Sequence, residues 1–389
     1  MRSSVPGIFH MAALIGELLI AMPSVIPAQQ AADILTPRLQ WKPGVVTVLA
    51  MSPAGKLIAT DGAQVTFATS TTPGYTRGEV RLWNAQTGAL VRSLAVENDK
   101  IASLAFSPDG NLLAAGGGNQ QLPHDPIRIT VWDVGSGSVN RTLDGYDEDV
   151  INLAFLGNSD GLVAVGYSRR PDTLPNAAGP KVLKMWERRG GDVAWTMKWP
   201  ITAAFSFGRN KTGDVLLAVD GYIEGPRDRD IRKPGQAIVE LWNLSDKSKT
   251  AVGADGDMRY VQFKEVSVSA NGSVVAGGNA QSIEAWGNTL HFEVRSDYPK
   301  ELFNQIALSP DGSILAVVST LPRSPGTQQR SHVRLWDLAS NTVVGKLLEG
   351  EGAPALIDAL MFSPDGSSLV TADVDGNIKV WDLKRRSGN

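Results

Sequence analysis

Residues 104–118 read LAFSPDGNLLAAGGG, and the same phrase returns as IALSPDGSILAVVST at 306–320 and LMFSPDGSSLVTADV at 360–374. Each copy opens with a short apolar run, passes through a Pro-Asp-Gly turn and enters a second apolar run. Asp-Gly and Asn-Gly supply the positive φ that a tight hairpin needs, so the two runs are predicted to be antiparallel neighbours. Related turns, SPAG at 52, NSDG at 158, NKTG at 210 and SANG at 269, bring the number to seven. A variable gap follows each turn, and then a third apolar run that ends in tryptophan: Trp83, Trp132, Trp186, Trp242, Trp286, Trp336 and Trp381. Strict alternation of seven turns with seven tryptophans predicts an all-β chain built from seven repeated small sheets.

The endings VRLWNAQTG, ITVWDVGSG, VELWNLSD, VRLWDLASN and IKVWDLK resemble those of the WD40 repeat family, whose units of ~40–45 residues form four-stranded propeller blades. The resemblance covers about residues 33–383, and it implies a seven-bladed β-propeller that works as a non-enzymatic interaction scaffold. Trp-Asp itself survives at 132–133, 336–337 and 381–382; the other copies end Trp-Asn, Trp-Glu or Trp-Gly, and the Gly-His pair that opens many family repeats is missing. The hydrogen-bonded tetrad tied to those residues is therefore not expected in most blades.

After Trp381 the chain has DLKRRSGN, too little for a fourth strand. Ahead of the first turn stands DILTPRLQ, residues 33–40, with no blade of its own, and Leu39 precedes Ser52 by the same 13 residues that separate Leu94 from Ser107. DILTPRLQ is thus predicted to close the ring as the outer strand of the last blade, which removes two exposed sheet edges.

Residues 1–28 carry one Arg, an apolar stretch and then PSVIPAQQ, the order of a secretory signal. Cleavage after Ala28 would leave a mature propeller of residues 29–389 in the periplasm or outside the cell; the alternative is an uncleaved extension on a cytoplasmic protein. Glu17, His10 and Pro23 argue against a stable membrane span. The chain has no cysteine, which removes disulfides and thiolate chemistry. A net charge of −3 and a pI near 5.9 speak against a nucleic-acid partner.

From turn Gly to closing Trp the seven spans are 28, 22, 25, 29, 14, 24 and 15 residues. Blades five and seven are minimal; blades one to four and six carry extra residues rich in Pro, Gly and polar side chains, read as surface loops. Connections between second and third strands all leave a blade at one end, so these insertions decorate one face. Basic residues there include Arg169, Arg170 and Lys181 in blade three. Arg227, Arg229, Arg232 and Lys233 in blade four and Arg323 and Arg330 in blade six are the candidate partner-binding residues, standing as walls over short blade five and facing an acidic segment of a protein or peptide partner.

Reactive chemistry is sparse. GGGNQQ at 116 lacks phosphate-loop spacing and is read as a loop, the four histidines lack paired-ligand spacing, and DVDGN at 373 reads as a blade turn rather than a calcium loop. No cofactor or metal is expected, and the chain is read as a monomer when alone. The innermost strands are apolar, with Glu265 and Asp358 as isolated acids, which predicts a filled, inert channel. The alternative function is an exported propeller enzyme, a hydrolase or lactonase, with its site at that channel.

Overall fold

A computed structural model describes residues 33–383 apart from 67–74, 97–99, 119–126, 147–148, 158, 170–177, 188–191, 200–203, 210–214, 223–236, 253–264, 288–289, 297–300, 321–330 and 348–355. The strands form seven sheets, the blades of a propeller, each with four antiparallel strands ordered from an inner first to an outer fourth. Blade five is the shortest: Glu265–Val268, Val274–Gly278, Ser282–Gly287 and His291–Arg295.

The repeated turn works through its serine. Ser107 Oγ accepts the Leu112 N–H at 2.9 Å and donates to Asp109, while the Gly110 N–H closes on the Ser107 carbonyl at 2.9 Å. Ser309 and Ser363 repeat the pattern, and Gly110, Gly312 and Gly366 take φ values of 75°, 75° and 70°. Blade three departs from the expected register. Its turn begins at Leu156, and the left-handed residue is Ser159 at φ 60°, not Gly161. Gly161 is needed for space instead, because a Cβ there would lie 2.8 Å from the Trp186 carbonyl oxygen. The NKTG turn of blade four lies outside the described residues.

In blades one, two and six the residue after the closing tryptophan shapes the next hairpin. Asp133 Oδ1 accepts the Ser136 N–H at 2.7 Å, Asp337 Oδ1 accepts that of Ser340 at 2.8 Å, and Asn84 Oδ1 accepts that of Thr87 at 3.0 Å. Asp and Asn both offer this acceptor, which explains why Trp-Asp and Trp-Asn interchange.

Packing closes the ring. Among the described residues the core falls into seven clusters, each joining two neighbouring blades, including one of blades seven and one through Ile58, Trp83, Val370 and Val380. Trp381 is 0% exposed and Trp132 1%, so the closing tryptophan is a core anchor. Two closing tryptophans are also hydrogen-bonded: Trp83 Nε1 donates to Thr60 Oγ1 at 3.1 Å and Trp381 Nε1 to Thr371 Oγ1 at 3.0 Å, both buried.

The amino-terminal segment does close blade seven, but it divides at Thr36. Pro37–Trp41 pairs antiparallel with Ile378–Asp382 as the fourth strand. Asp33–Leu35 instead runs parallel to Thr342–Leu347, giving blade six a fifth strand. The equal 13-residue spacing does not give the register either: Trp41, not Leu39, faces Ile378, the place Leu94 holds opposite Val80. No helix among the described residues is long and apolar enough to cross a membrane.

Candidate functional site

The connections between second and third strands emerge together on one face. Blade five crosses there in three residues, Asn279–Gln281, held as a tight turn by Asn279 Oδ1, which accepts the N–H groups of Gln281 at 2.7 Å and Ser282 at 2.9 Å. On one side blade four is paired out to Tyr222 and Ala237; on the other, blade six is paired out to Thr320 and Ser331. The candidate residues Arg227, Arg229, Arg232, Lys233, Arg323 and Arg330 lie beyond those pairs, outside the described residues.

Three readings of this face are corrected. The insertion of blade one is not all loop: Leu57–Thr66 and Tyr75–Asn84 stay paired out to Thr66 and Tyr75. Gly116, Gly117 and Gly118 belong to strand Leu112–Gly118; a Cβ on Gly116 would sit 2.7 Å from Val150 Cγ1 and one on Gly117 1.8 Å from the Lys100 carbonyl oxygen, so close packing demands glycine. Lys181 is no loop cation. It lies in strand Ala178–Trp186, is 9% exposed, and holds Nζ 5.4 Å from the ring centroids of both Tyr167 and Phe205, a cation–π arrangement.

At the same end two inner strands carry an acid near their start, Glu265 and Asp358. Asp358 is not isolated: burial pushes its carboxyl above the usual range, and the nearby charges of Asp373 and Asp61 add to the effect. Those two neighbours are committed to local structure. Asp61 accepts from the Thr47 and Val48 N–H groups and the Thr47 hydroxyl; Asp373 accepts from Asn377 and faces Lys379 Nζ at 3.6 Å. Glu265 also titrates above the usual range because of burial, opposed by the charge of Lys181. Glu265 itself is an exposed residue at the start of its strand.

Directly opposite Glu265 in the adjacent strand is Gly278. The missing side chain leaves a shallow cleft between blades five and six, lined by Glu265, Asn279, Ile283, Phe303, Gln305 and Ile306 among others. Gln305 Nε2 donates to the Asp358 carbonyl at 2.7 Å, tying this cleft to blade seven. The sequence names Glu265, but the cleft exists because of a cross-strand register that sequence reading did not reach. Among the described residues no group of three or more His, Asp or Glu side chains could hold a metal ion.

The family model described as "WD domain, G-beta repeat" matches residues 88–122 and 344–382. The chain is similar to the guanine nucleotide-binding protein subunit beta of Arabidopsis thaliana, 23% identical over 78% of this chain and 75% of that one. It is similar to the SIR4-interacting protein SIF2 of Saccharomyces cerevisiae, 24% identical over 76% of this chain, and spans about half of that relative, 49%. Among solved structures, the β-propeller domain of Myceliophteria thermophila Cps50 (Swd1) superimposes with a TM-score of 0.61 at 13% identity, covering 90% of this chain and 100% of that one.

Proposed function

We propose that this chain, a WD40-repeat seven-bladed propeller, is a non-enzymatic scaffold that holds a protein or peptide partner on its insertion-bearing face, over blade five. The observation that carries this reading is the three-residue crossing Asn279–Gln281 between two blades with long connections, a low floor between higher neighbours. The names of two relatives support it, one a subunit of a larger assembly and the other an interacting protein. The basic residues of the long connections, Arg227, Arg229, Arg232 and Lys233 in blade four and Arg323 and Arg330 in blade six, suit an acidic partner segment through bidentate and point-charge contacts.

The test is the double reversal Arg323→Glu, Arg330→Glu in the full chain. Capture of the partner should weaken while the melting temperature holds, because both residues belong to the connection beyond the paired Thr320 and Ser331. Full-strength capture would move the site to the other face.

Export to the periplasm or beyond, with the mature chain starting near Gln29, belongs to the same proposal and rests on the Arg, apolar stretch and Ala28 order. Amino-terminal sequencing of protein from its own host decides it: a start near Gln29 agrees, and an intact Met1 on cytosolic protein does not.

A further inference from the structure

The cleft between blades five and six has a chemistry of its own. Among the described residues Glu265 is the charged one that lines it; the rest are the amides Asn279, Asn304 and Gln305 and apolar or small groups, with Ile283, Phe303 and Ile306 as its floor. Among the described residues the cation that acts on Glu265 is Lys181, whose ammonium lies over the rings of Tyr167 in blade three and Phe205 in blade four. The blade-six flank of the carboxylate is left to the cleft, and the space there exists because Gly278 stands opposite. A Cβ at Gly278 would meet Ile283 Cγ1 at 3.3 Å and Ile306 Cγ2 at 3.5 Å, so a larger side chain would fill the same volume.

A carboxylate beside an apolar floor matches a side chain with a hydrocarbon stem and a cationic head. An ion pair formed there has an apolar floor on one flank, and its hydrogen bonds are charge-assisted. An anionic side chain would meet like charge, and a neutral isostere would have the stem contacts without the pair.

We propose that this cleft is a subsite for one lysine or arginine side chain of the partner, anchored by Glu265. It rests on the docking face argued above only for whose side chain enters; the cleft's selectivity stands without a partner. In that arrangement the partner segment carries a basic anchor between acidic flanks, the anchor in the cleft and the flanks toward the basic connections.

The experiment uses the full chain with labelled isoleucine δ1 methyls, so that Ile283 and Ile306 report from the floor. Nα-acetyl-arginine methylamide and its lysine counterpart are titrated, with the citrulline and glutamate analogues as neutral and anionic controls. The expected result is a saturable shift of both methyl signals with arginine or lysine, absent with citrulline and glutamate and lost in Glu265→Gln. Gly278→Val should abolish the shift by occupation while leaving the charge in place, which separates filling from loss of the ion pair. Equal shifts with arginine and citrulline, or none with either cation while the wild-type methyl spectrum is intact, would overturn the proposal. Because no partner is present, either outcome is independent of the charge-reversal test of the docking face.

Discussion

Arg38 donates from Nε to Asp382 Oδ1 at 2.9 Å across 344 positions of sequence, joining the strand Pro37–Trp41 to the last strand, Ile378–Asp382. Asp382 follows the closing Trp381 and corresponds to Asp133 and Asp337, which cap their own hairpins. Blade seven has no such hairpin, and the same acidic position receives an arginine from the other end of the chain. The pair is exposed, at 39% and 56%, so it sets register more than it stabilises.

That division gives the first prediction. Arg38→Ala should cost no more than about 1 kcal/mol, as exposed ion pairs do. Deleting residues 1–44 should instead lower the melting temperature sharply or give aggregates, because it strips Leu39 and Trp41 from the cluster of blades seven and one and opens a sheet edge. A truncated chain that melts like the full one would contradict closure by this strand.

Buried Trp381 Nε1 has Thr371 Oγ1 as its acceptor. Thr371→Val keeps the shape but leaves the indole N–H unsatisfied, which should cost about 1–3 kcal/mol in urea unfolding. Adding Trp381→Phe removes the orphaned donor, so the double variant should lose less than the sum of the two single losses. Strict additivity would mean that the bond contributes nothing.

Acid should weaken the turns. Asp365 is lowered to about 2, first by the Ser363 hydroxyl and then by the Ser367 N–H and hydroxyl. Asp109 moves in the same direction through Ser107, and Asp311 does so because Ser309 and Ser313 outweigh its burial. A carboxyl whose folded pKa lies below its unfolded value of 3.8 stabilises above that value, and the contribution fades as pH falls toward about 2. Glu265, Asp358 and Glu284, all raised chiefly by burial, act in the opposite sense and reduce stability as pH climbs through their raised values. Urea midpoints should therefore drop between pH 4 and pH 2, with a shallower drop in Asp365→Asn. Identical slopes in the two proteins would refute the role of that carboxylate.

The fold was legible because its signals are local and periodic. A turn glycine, a closing tryptophan and an Asx acceptor each act within a few residues, so seven copies reinforce one another. What needed three dimensions was pairing between distant segments. Nothing in DILTPRLQ marks Thr36 as the point where one strand leaves blade six for blade seven. The Asp-Gly at 160–161 pointed to Gly161 as the left-handed residue, whereas the bond between the Leu156 N–H and the Gly161 carbonyl puts Ser159 there. Gly116–Gly118 looked like a loop because the demand for glycine comes from Val150 and Lys100, which lie outside their own strand. At the candidate site, the short crossing of blade five could be counted from the sequence. The cleft could not, since it depends on Gly278 falling opposite Glu265.

Docking on the insertion-bearing face is tested most directly by placing a photo-crosslinking amino acid at one of two sites in the same blade. Ala280 sits in the crossing turn on that face and lines the cleft, while Ala270 sits exposed in the SANG turn at the opposite end of blade five. With each variant expressed in the native host and irradiated, the predicted result is a crosslinked partner from Ala280 and none from Ala270. A partner crosslinked from Ala270 and not from Ala280 would contradict it.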